Sequence, residues 1–254
     1  MVESENRNDL PVVRSFWFGA PLTWICDLTM NSYMSQGHQF ELYTYDDISV
    51  PEGVQLRDAN EIIPESESFQ MMNSIDGVRG RYSTFSNIFR YKLIHDKGGM
   101  WADLDSICIK PINFEENIEL VFATERTKVG LEINNCNIYA SKSGHPLLKN
   151  LYNSAISMNK TSLSHLSFNK QFILDMMDEM GIDWTSVVAP INWFCPIPWY
   201  DIHQIFLQTH DYSIESILKL SYSIHLFNNI VEADFPEMME LPLASDSFAS
   251  EITK

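Results

Sequence analysis

The sequence predicts an α/β fold with parallel strands, and three features near the start of the chain predict it. Residues 12–18 form an apolar run typical of a buried strand, residues 22–34 suit a helix, and residues 39–45 alternate as a second strand. A strand, a helix and a strand at this spacing make a βαβ unit, in which the strands pair in parallel. Ligands of such folds lie beyond the carboxyl ends of the strands, where we expect Trp17 and Tyr45.

Further elements are predicted along the rest of the chain. Residues 50–80 are rich in Pro, Gly, Ser and Glu, which favours loops with one brief strand. Residues 187–200 are dense in aromatic residues and prolines, which suits either the edge of a core or a stacking platform. The other predicted elements are helices at residues 83–97, 146–158 and 168–180, and strands at residues 100–109, 119–123, 136–140 and 221–229.

The composition indicates one packed domain and narrows the range of partners. The chain has 254 residues, of which 45% are hydrophobic, and this suffices for one large α/β domain. We expect residues 1–235 to form the domain and residues 236–254 to be an acidic C-terminal tail. The formal net charge of −17 argues against binding a nucleic-acid backbone and against docking on anionic lipid.

The cysteines and the hydropathy pattern bear on the cellular compartment. Four widely spaced cysteines without a C-x-x-C pair favour buried free thiols over disulfides or a zinc site. The sequence has no run of 18 apolar residues and no apolar signal-peptide region. We therefore expect no integral membrane segment and a cytoplasmic protein, unless the sequence is a piece of a longer, anchored chain.

The stretch from residue 83 to residue 111 carries the candidate chemistry. A helix with apolar residues at a 3.6-residue period ends at a diglycine and leads into a strand. In an extended strand, Asp103 and Asp105 point to one side while Leu104 points to the other. Two neighbouring carboxylates make half of a site for Mn²⁺ or Mg²⁺, and the open positions of such a site suit a diphosphate.

A D-x-D pair alone is common in acidic proteins, so its surroundings carry the argument. Arg90 lies on the preceding helix, and Trp101 stands two positions before Asp103. With these residues the stretch closely resembles the sugar-binding region of the glycosyltransferases that include yeast mannosyltransferases, α-1,4-galactosyl- and N-acetylglucosaminyltransferases, and clostridial glucosylating toxins. It departs from their pattern at Asn87, where the family often has Asp. The matching residues are Ser86, Arg90, Tyr91, Leu93, Gly98, Gly99, Trp101, Asp103, Asp105, Lys110 and Pro111.

Two shorter segments also resemble this family. In the family, a Trp-x-Gly at the end of the first strand lines the nucleotide pocket, and here it corresponds to Trp17. Residues 221–229, SYSIHLFNN, resemble the closing H-L-W-N element that returns over the donor site. His225 and Asn228 match the polar positions of that element, which implies a role near the metal or the diphosphate.

The resemblance implies a GT-A fold, which is a Rossmann-like single domain with a mixed central sheet. It also implies a metal-dependent retaining transferase that moves a sugar from a nucleotide-sugar donor, with a UDP-sugar favoured, to a glycan or polysaccharide acceptor. The implied cofactor is Mn²⁺ or Mg²⁺. The implied site residues are Asp103, Asp105 and Arg90 for catalysis; Trp17, Phe18, Tyr45, Asn87, Arg90, Trp101 and Asp103 for donor binding; and Asp103, Asp105, His225 and Asn228 for the metal.

Two other classes remain open at this point. Phosphatases of the haloacid dehalogenase type also pair two acids one residue apart, but they need a hydrophobic strand before the first Asp. Here a diglycine precedes Asp103 too closely for such a strand. The non-enzymatic alternative is a nucleotide- or carbohydrate-binding protein without turnover, for which Asn87 leaves room.

Overall fold

A six-stranded mixed sheet forms the centre of the fold. The computed structural model describes residues 10–19, 21–70, 82–163, 167–168, 170–207, 212–234 and 236. Its strands are β1 (Val13–Trp17), β2 (Phe40–Thr44), β3 (Gln55–Asp58), β4 (Gly99–Ala102), β5 (Ser106–Cys108), β6 (Leu120–Thr127), β7 (Gly130–Ala140) and β8 (Ser223–His225). Six of them lie in the order β3-β2-β1-β4-β7-β6, and β5 pairs with β8 in a separate antiparallel sheet.

The strand pairings confirm the predicted α/β fold with a mixed central sheet. Strand β1 pairs in parallel with β2 on one side and with β4 on the other. Strand β7 runs antiparallel to both β4 and β6. The parallel β1–β2 pair confirms the βαβ unit that the first 45 residues predict.

Six α-helices accompany the strands in the described residues, and they cover both faces of the sheet. They are α1 (Trp24–Ser35), α2 (Ser83–Lys97), α3 (Pro146–Ser157), α4 (Lys170–Glu179), α5 (Ile214–Leu220) and α6 (Asn228–Asp234). Helices α2, α3 and α4 contribute to one apolar core, together with Trp101 of β4. Helix α1 contributes to a second core, together with Met100 and Ala102. This alternation along β4 is that of a strand buried on both faces.

The aspartate pair lies on a turn, so the prediction of one strand over residues 100–109 is wrong. Strand β4 ends at Ala102, and β5 begins only at Ser106, in the other sheet. The backbone N–H of Ser106 donates to the carbonyl of Asp103 at 3.0 Å, which closes the turn. The break follows from a change of partner strand, because the N–H of Asp103 still donates to the Cys136 carbonyl of β7 at 2.8 Å, whereas β5 pairs with β8.

The C-terminal part of the described chain differs from its prediction in two ways. The alternation of residues 221–229 predicts a half-buried strand, but all three residues of β8 are buried. Residues Asn228–Asp234, for which the sequence analysis predicts no helix, form α6. Of the predicted tail, residues 236–254, all but Pro236 lie outside the described residues.

The diglycine after α2 allows the chain to reverse into β4. Gly98 and Gly99 have φ angles of +67° and +73°, a region that side chains with a Cβ avoid. A Cβ on Gly99 would lie 2.6 Å from the carbonyl oxygen of Val12. The guanidinium of Arg14 fills the remaining space, since it donates to the carbonyl of Gly98 at 2.8 Å and pairs with Glu41 at 2.7 Å.

Replacing Gly99 with alanine should therefore destabilise the protein more than the backbone angle alone explains. We expect Gly99→Ala to lower the free energy of unfolding by about 2–4 kcal/mol, the sum of left-handed backbone strain and overpacking. Gly181→Ala is the matched control, because Gly181 has φ +68° and open space where its Cβ would lie. It should cost only about 1–2 kcal/mol. Urea denaturation measures both, and equal losses would contradict the steric argument.

Candidate active site

A cavity of about 920 Å³ opens at the carboxyl ends of β1 and β4. Strands β2 and β3, which come next in the chain, lie on one side of β1, and the later strand β4 lies on the other. The strand order therefore reverses between β1 and β4, which is where α/β sheets bind their ligands. Nine of the ten predicted site residues line the cavity. They are Trp17, Phe18, Asn87, Arg90, Trp101, Asp103, Asp105, His225 and Asn228.

Tyr45 is the predicted site residue that the cavity lining does not include. Its hydroxyl donates to the carbonyl of Ile63 at 2.6 Å. Its ring packs edge-on against Phe18 at 4.8 Å and against Phe16 at 5.6 Å. Tyr45 therefore supports the ring of Phe18 from behind, because its position beyond β2 directs it into the apolar core.

Two donors fix one oxygen of Asp103. Its Oδ1 accepts a hydrogen bond from the indole N–H of Trp101 at 2.8 Å and forms an ion pair with Nη1 of Arg90 at 3.0 Å. The Arg90 guanidinium lies over the Trp101 ring, 4.7 Å from its centroid. This arrangement leaves Oδ2 of Asp103 directed towards His225, whose Nε2 is 3.9 Å away.

Asp105 is held from the opposite side by the C-terminal segment. Its Oδ2 accepts from the backbone N–H of Asn228 at 2.8 Å, and its Oδ1 lies 3.2 Å from Nε2 of His225. Phe227, between these two partners, has φ +50°, a left-handed value that is rare for a bulky residue. Such strain is concentrated at functional sites, and here it accompanies the turn that brings Asn228 onto Asp105.

Three potential metal-ligating side chains converge here, and a fourth, Asn228, lines the same cavity. One oxygen from each of Asp103 and Asp105 and a ring nitrogen of His225 lie within 4.8 Å of one another. Oδ1 of Asn228 is buried and makes no hydrogen bond within the part of the chain that the structure describes. A buried polar atom without a partner is costly, and a cation would satisfy it.

The charges of the cluster shift one another's pKa values. Burial raises the pKa of Asp103 above its usual value, although Arg90 opposes the shift. Burial also acts to raise the pKa of Asp105, but the charge and hydrogen bond of His225 outweigh it and lower that pKa. Burial acts to lower the pKa of His225, but Asp105 raises it well above its usual value.

Asn87 and Arg90 lie three residues apart on α2, on the same helical face. Both line the cavity, as predicted, and both are also held by β7. Oδ1 of Asn87 accepts from the side-chain amide of Asn135 at 3.2 Å, and Nη1 of Arg90 donates to the Asn135 carbonyl at 2.5 Å. Asn135 therefore fixes both side chains relative to the sheet.

Several cavity residues are absent from the sequence-based assignment. Glu125 and Trp199 line the cavity together with Asn135. Burial raises the pKa of Glu125 above its usual value. The prediction missed Glu125 because it ended the strand at residue 123, whereas β6 extends four residues further, to Thr127. On β7, the adjacent polar residues Asn134 and Asn135 are the sequence feature that indicates a contribution to the site.

The comparisons with known proteins concern the fold. Neither protein-family models nor curated proteins match the sequence. The structure is similar to that of the PaToxG glycosyltransferase, with 15% identity and a TM-score of 0.48 over 70% of this chain and 73% of that one. It is similar to a solved transferase, with 10% identity and a TM-score of 0.46 over 69% of this chain and 87% of that one. It is also similar to the WbbM bifunctional glycosyltransferase, with 11% identity and a TM-score of 0.45 over 96% of this chain and 51% of that one.

A helix that crosses a bilayer must be long and apolar. Among the described residues, no helix combines the length and the apolar character that a membrane span requires.

The pKa of His225 provides a test of the cluster geometry. Replacing Asp105 with asparagine removes the main group that raises this pKa, while burial, which lowers it, and Cys136, which raises it, remain. We therefore expect the His225 pKa in Asp105→Asn to fall below that of the unsubstituted protein. Side-chain ¹H–¹⁵N NMR across a pH series, without added metal, measures it. His38 serves as the internal reference, because burial, not a carboxylate, sets its lowered pKa. An unchanged His225 value would contradict the contact.

Proposed function

We propose that this chain is a GT-A type, metal-dependent, retaining glycosyltransferase that moves a sugar from a UDP-sugar to a glycan or polysaccharide acceptor. One observation carries the proposal. The two carboxylates and a histidine converge in a cavity that Trp17 and Asn228 also line, and the amide oxygen of Asn228 has no hydrogen-bond partner among the described residues. The strand-order reversal at this cavity supports a nucleotide ligand. We also propose that the enzyme acts in the cytoplasm.

The donor set fits a hard divalent cation such as Mn²⁺ or Mg²⁺. The available atoms are Oδ2 of Asp103, a carboxylate oxygen of Asp105, Nε2 of His225 and Oδ1 of Asn228. Oxygen donors suit both cations, and the imidazole nitrogen suits a transition metal better, so the set favours Mn²⁺. When bound, the cation acts as a Lewis acid that stabilises the charge developing on the leaving diphosphate.

The chain's own residues would position the donor around that centre. Arg90 is almost fully buried and holds Asp103 in place through the ion pair and its contact with Trp101. Asn87 can bind sugar hydroxyls with an amide that both donates and accepts, where the family pattern has a carboxylate that only accepts. We therefore propose that the side chain at position 87 determines which donor sugar the protein prefers.

The nucleotide base would lie at the end of β1. Trp17 and Phe18 line the cavity there, and Phe18 is supported by Tyr82 at 4.3 Å as well as by Tyr45. Gly19 is tied to the loop after β2, since its N–H donates to Asp46 at 2.7 Å. This fixed aromatic edge suits stacking on uracil.

One contact favours an alternative function, in which the protein binds a nucleotide sugar but does not transfer the sugar. Asn87 already accepts a hydrogen bond from Asn135, so it offers fewer acceptor positions to a sugar than a carboxylate would. A protein of this kind would bind UDP and Mn²⁺ but would not transfer sugar. Measuring binding and transfer on the same samples distinguishes the two functions.

Removal of Asp105 tests the metal assignment. We expect Asp105→Ala to reduce Mn²⁺-dependent transfer or hydrolysis of a UDP-sugar by at least about 100-fold, the effect typical of losing a group that stabilises transition-state charge. Activity against a panel of nucleotide sugars, with and without Mn²⁺, measures it. Glu52→Ala removes an exposed carboxylate outside the cavity and should leave the rate unchanged. Persisting activity with the same Mn²⁺ dependence would show that the assignment is wrong.

Removal of Trp17 tests the nucleotide position. We expect Trp17→Ala to weaken UDP binding by about 1–3 kcal/mol, the value of one base–aromatic stack, which is roughly 5- to 150-fold in Kd. Titration calorimetry with UDP and Mn²⁺ measures the change. Trp184→Ala is the control, because Trp184 is exposed and is not among the cavity-lining residues. If both variants bind UDP with equal affinity, Trp17 contributes to packing and not to nucleotide binding.

A further inference from the structure

A second cluster of metal-ligating side chains lies directly behind the carboxylates. Cys136 on β7 and Cys195 in the loop before α5 place their sulfur atoms 3.6 Å apart. These two sulfurs and a ring nitrogen of His225 lie within 4.8 Å of one another, and all three residues are buried. The mechanism above uses neither cysteine.

His225 connects the two clusters through its two ring nitrogens. Nε2 faces Asp105 at 3.2 Å, so Nδ1 is the nitrogen left for the thiols. Nδ1 is buried and makes no hydrogen bond to any residue that the structure describes. An imidazole that donates its Nε2–H to a carboxylate presents the lone pair of Nδ1. Histidines that bind metals use this carboxylate–histidine arrangement.

The distances match those between ligands of one tetrahedral ion. Two zinc–sulfur bonds of about 2.3 Å at the tetrahedral angle separate the sulfurs by roughly 3.8 Å, close to the observed 3.6 Å. Oδ1 of Asn137 lies 3.5 Å from the Cys136 sulfur and can supply a fourth, neutral ligand. The backbone also fixes the cluster, because the N–H of His225 donates to the carbonyl of Phe194, next to Cys195, at 3.1 Å.

We propose that Cys136, Cys195 and His225 form a binding site for a thiophilic d¹⁰ divalent cation of the Zn²⁺ class. Sulfur and imidazole ligands select such ions, whereas carboxylates select Mg²⁺ and Mn²⁺, so the two neighbouring clusters differ in chemistry. The thiols bind such a cation as thiolates and the imidazole binds it in the neutral form, so binding releases the thiol protons and the second proton of His225.

The site formed by Cys136, Cys195 and His225, here called the thiol site, shares His225 with the carboxylate site. Its occupation therefore affects metal binding in the cavity. With Nδ1 on the thiophilic ion, Nε2 keeps its proton and its hydrogen bond to Asp105, and it cannot also ligate Mn²⁺. Occupation of the thiol site therefore removes one ligand from the carboxylate site and weakens Mn²⁺ binding there. This consequence rests on the proposed function, whereas the thiol site itself does not.

Titration with Cd²⁺ tests the site, because cadmium–thiolate charge transfer in the ultraviolet reports sulfur ligands only. The reduced chain of 254 residues receives one equivalent of Cd²⁺ in an excess of Mg²⁺, which occupies the carboxylates. We expect the band to appear in the unsubstituted protein and in Cys108→Ser, whose thiol is buried elsewhere. It should be lost in Cys136→Ser and in Cys195→Ser. No band in the unsubstituted protein, or a band that persists in both of the latter variants, overturns the proposal.

A second measurement needs no substitution and decides the matter if those variants fail to fold. The zinc X-ray absorption spectrum of the unsubstituted chain, loaded with one equivalent of Zn²⁺ in excess Mg²⁺, should show sulfur neighbours at about 2.3 Å. A spectrum with nitrogen and oxygen neighbours alone overturns the site. Neither reading depends on sugar transfer, so an inactive protein that gives both signals would contradict the proposed function and leave this site standing.

Discussion

The buried ion pair between Arg90 and Asp103 is the interaction on which the cavity depends. A buried charge requires a partner, and removal of one member of such a pair typically costs about 3–5 kcal/mol. Arg90 comes from α2, Asp103 follows β4, and Arg90 also donates to the Asn135 carbonyl on β7. One guanidinium therefore joins a helix to the end of β4 and to the middle of β7. The carboxylates are held by this junction and by its neighbour, the contacts of Asp105 with His225 and Asn228.

The parts of the fold that the sequence predicts are those set by local periodicity. Helix α2 has a 3.6-residue pattern, β1 is an apolar run and β2 alternates, and the observed bounds lie within one residue of the predicted ones. The aspartates were predicted to lie together, and they do, but for a different reason. An extended strand was expected to align Asp103 and Asp105, whereas a turn closed by Ser106 presents them.

The remaining features depend on contacts between distant parts of the chain, which local patterns do not encode. Asp105 and the Asn228 backbone are 123 residues apart in sequence, yet their hydrogen bond closes the cavity. The pairing of β5 with β8 is equally remote, and it explains why a strand that alternates in polarity is buried on both faces. On the buried polar face of β8, the hydroxyl of Ser223 has a partner within the protein, since it lies 3.0 Å from the hydroxyl of Ser106.

The environment of position 87 gives a physical reason for asparagine where the resembling family often has aspartate. Asn87 is nearly buried, and its side-chain oxygen is already satisfied by the amide of Asn135. A carboxylate there would add another acidic group to a cavity lining that already includes Asp103, Asp105, Glu125, Glu232 and Asp234, in a protein of net charge −17. Nη1 of Arg90 is committed to Asp103 and to a backbone carbonyl, so it could pair with that charge only by weakening the junction. The neutral amide keeps an acceptor at this position and leaves Arg90 with Asp103.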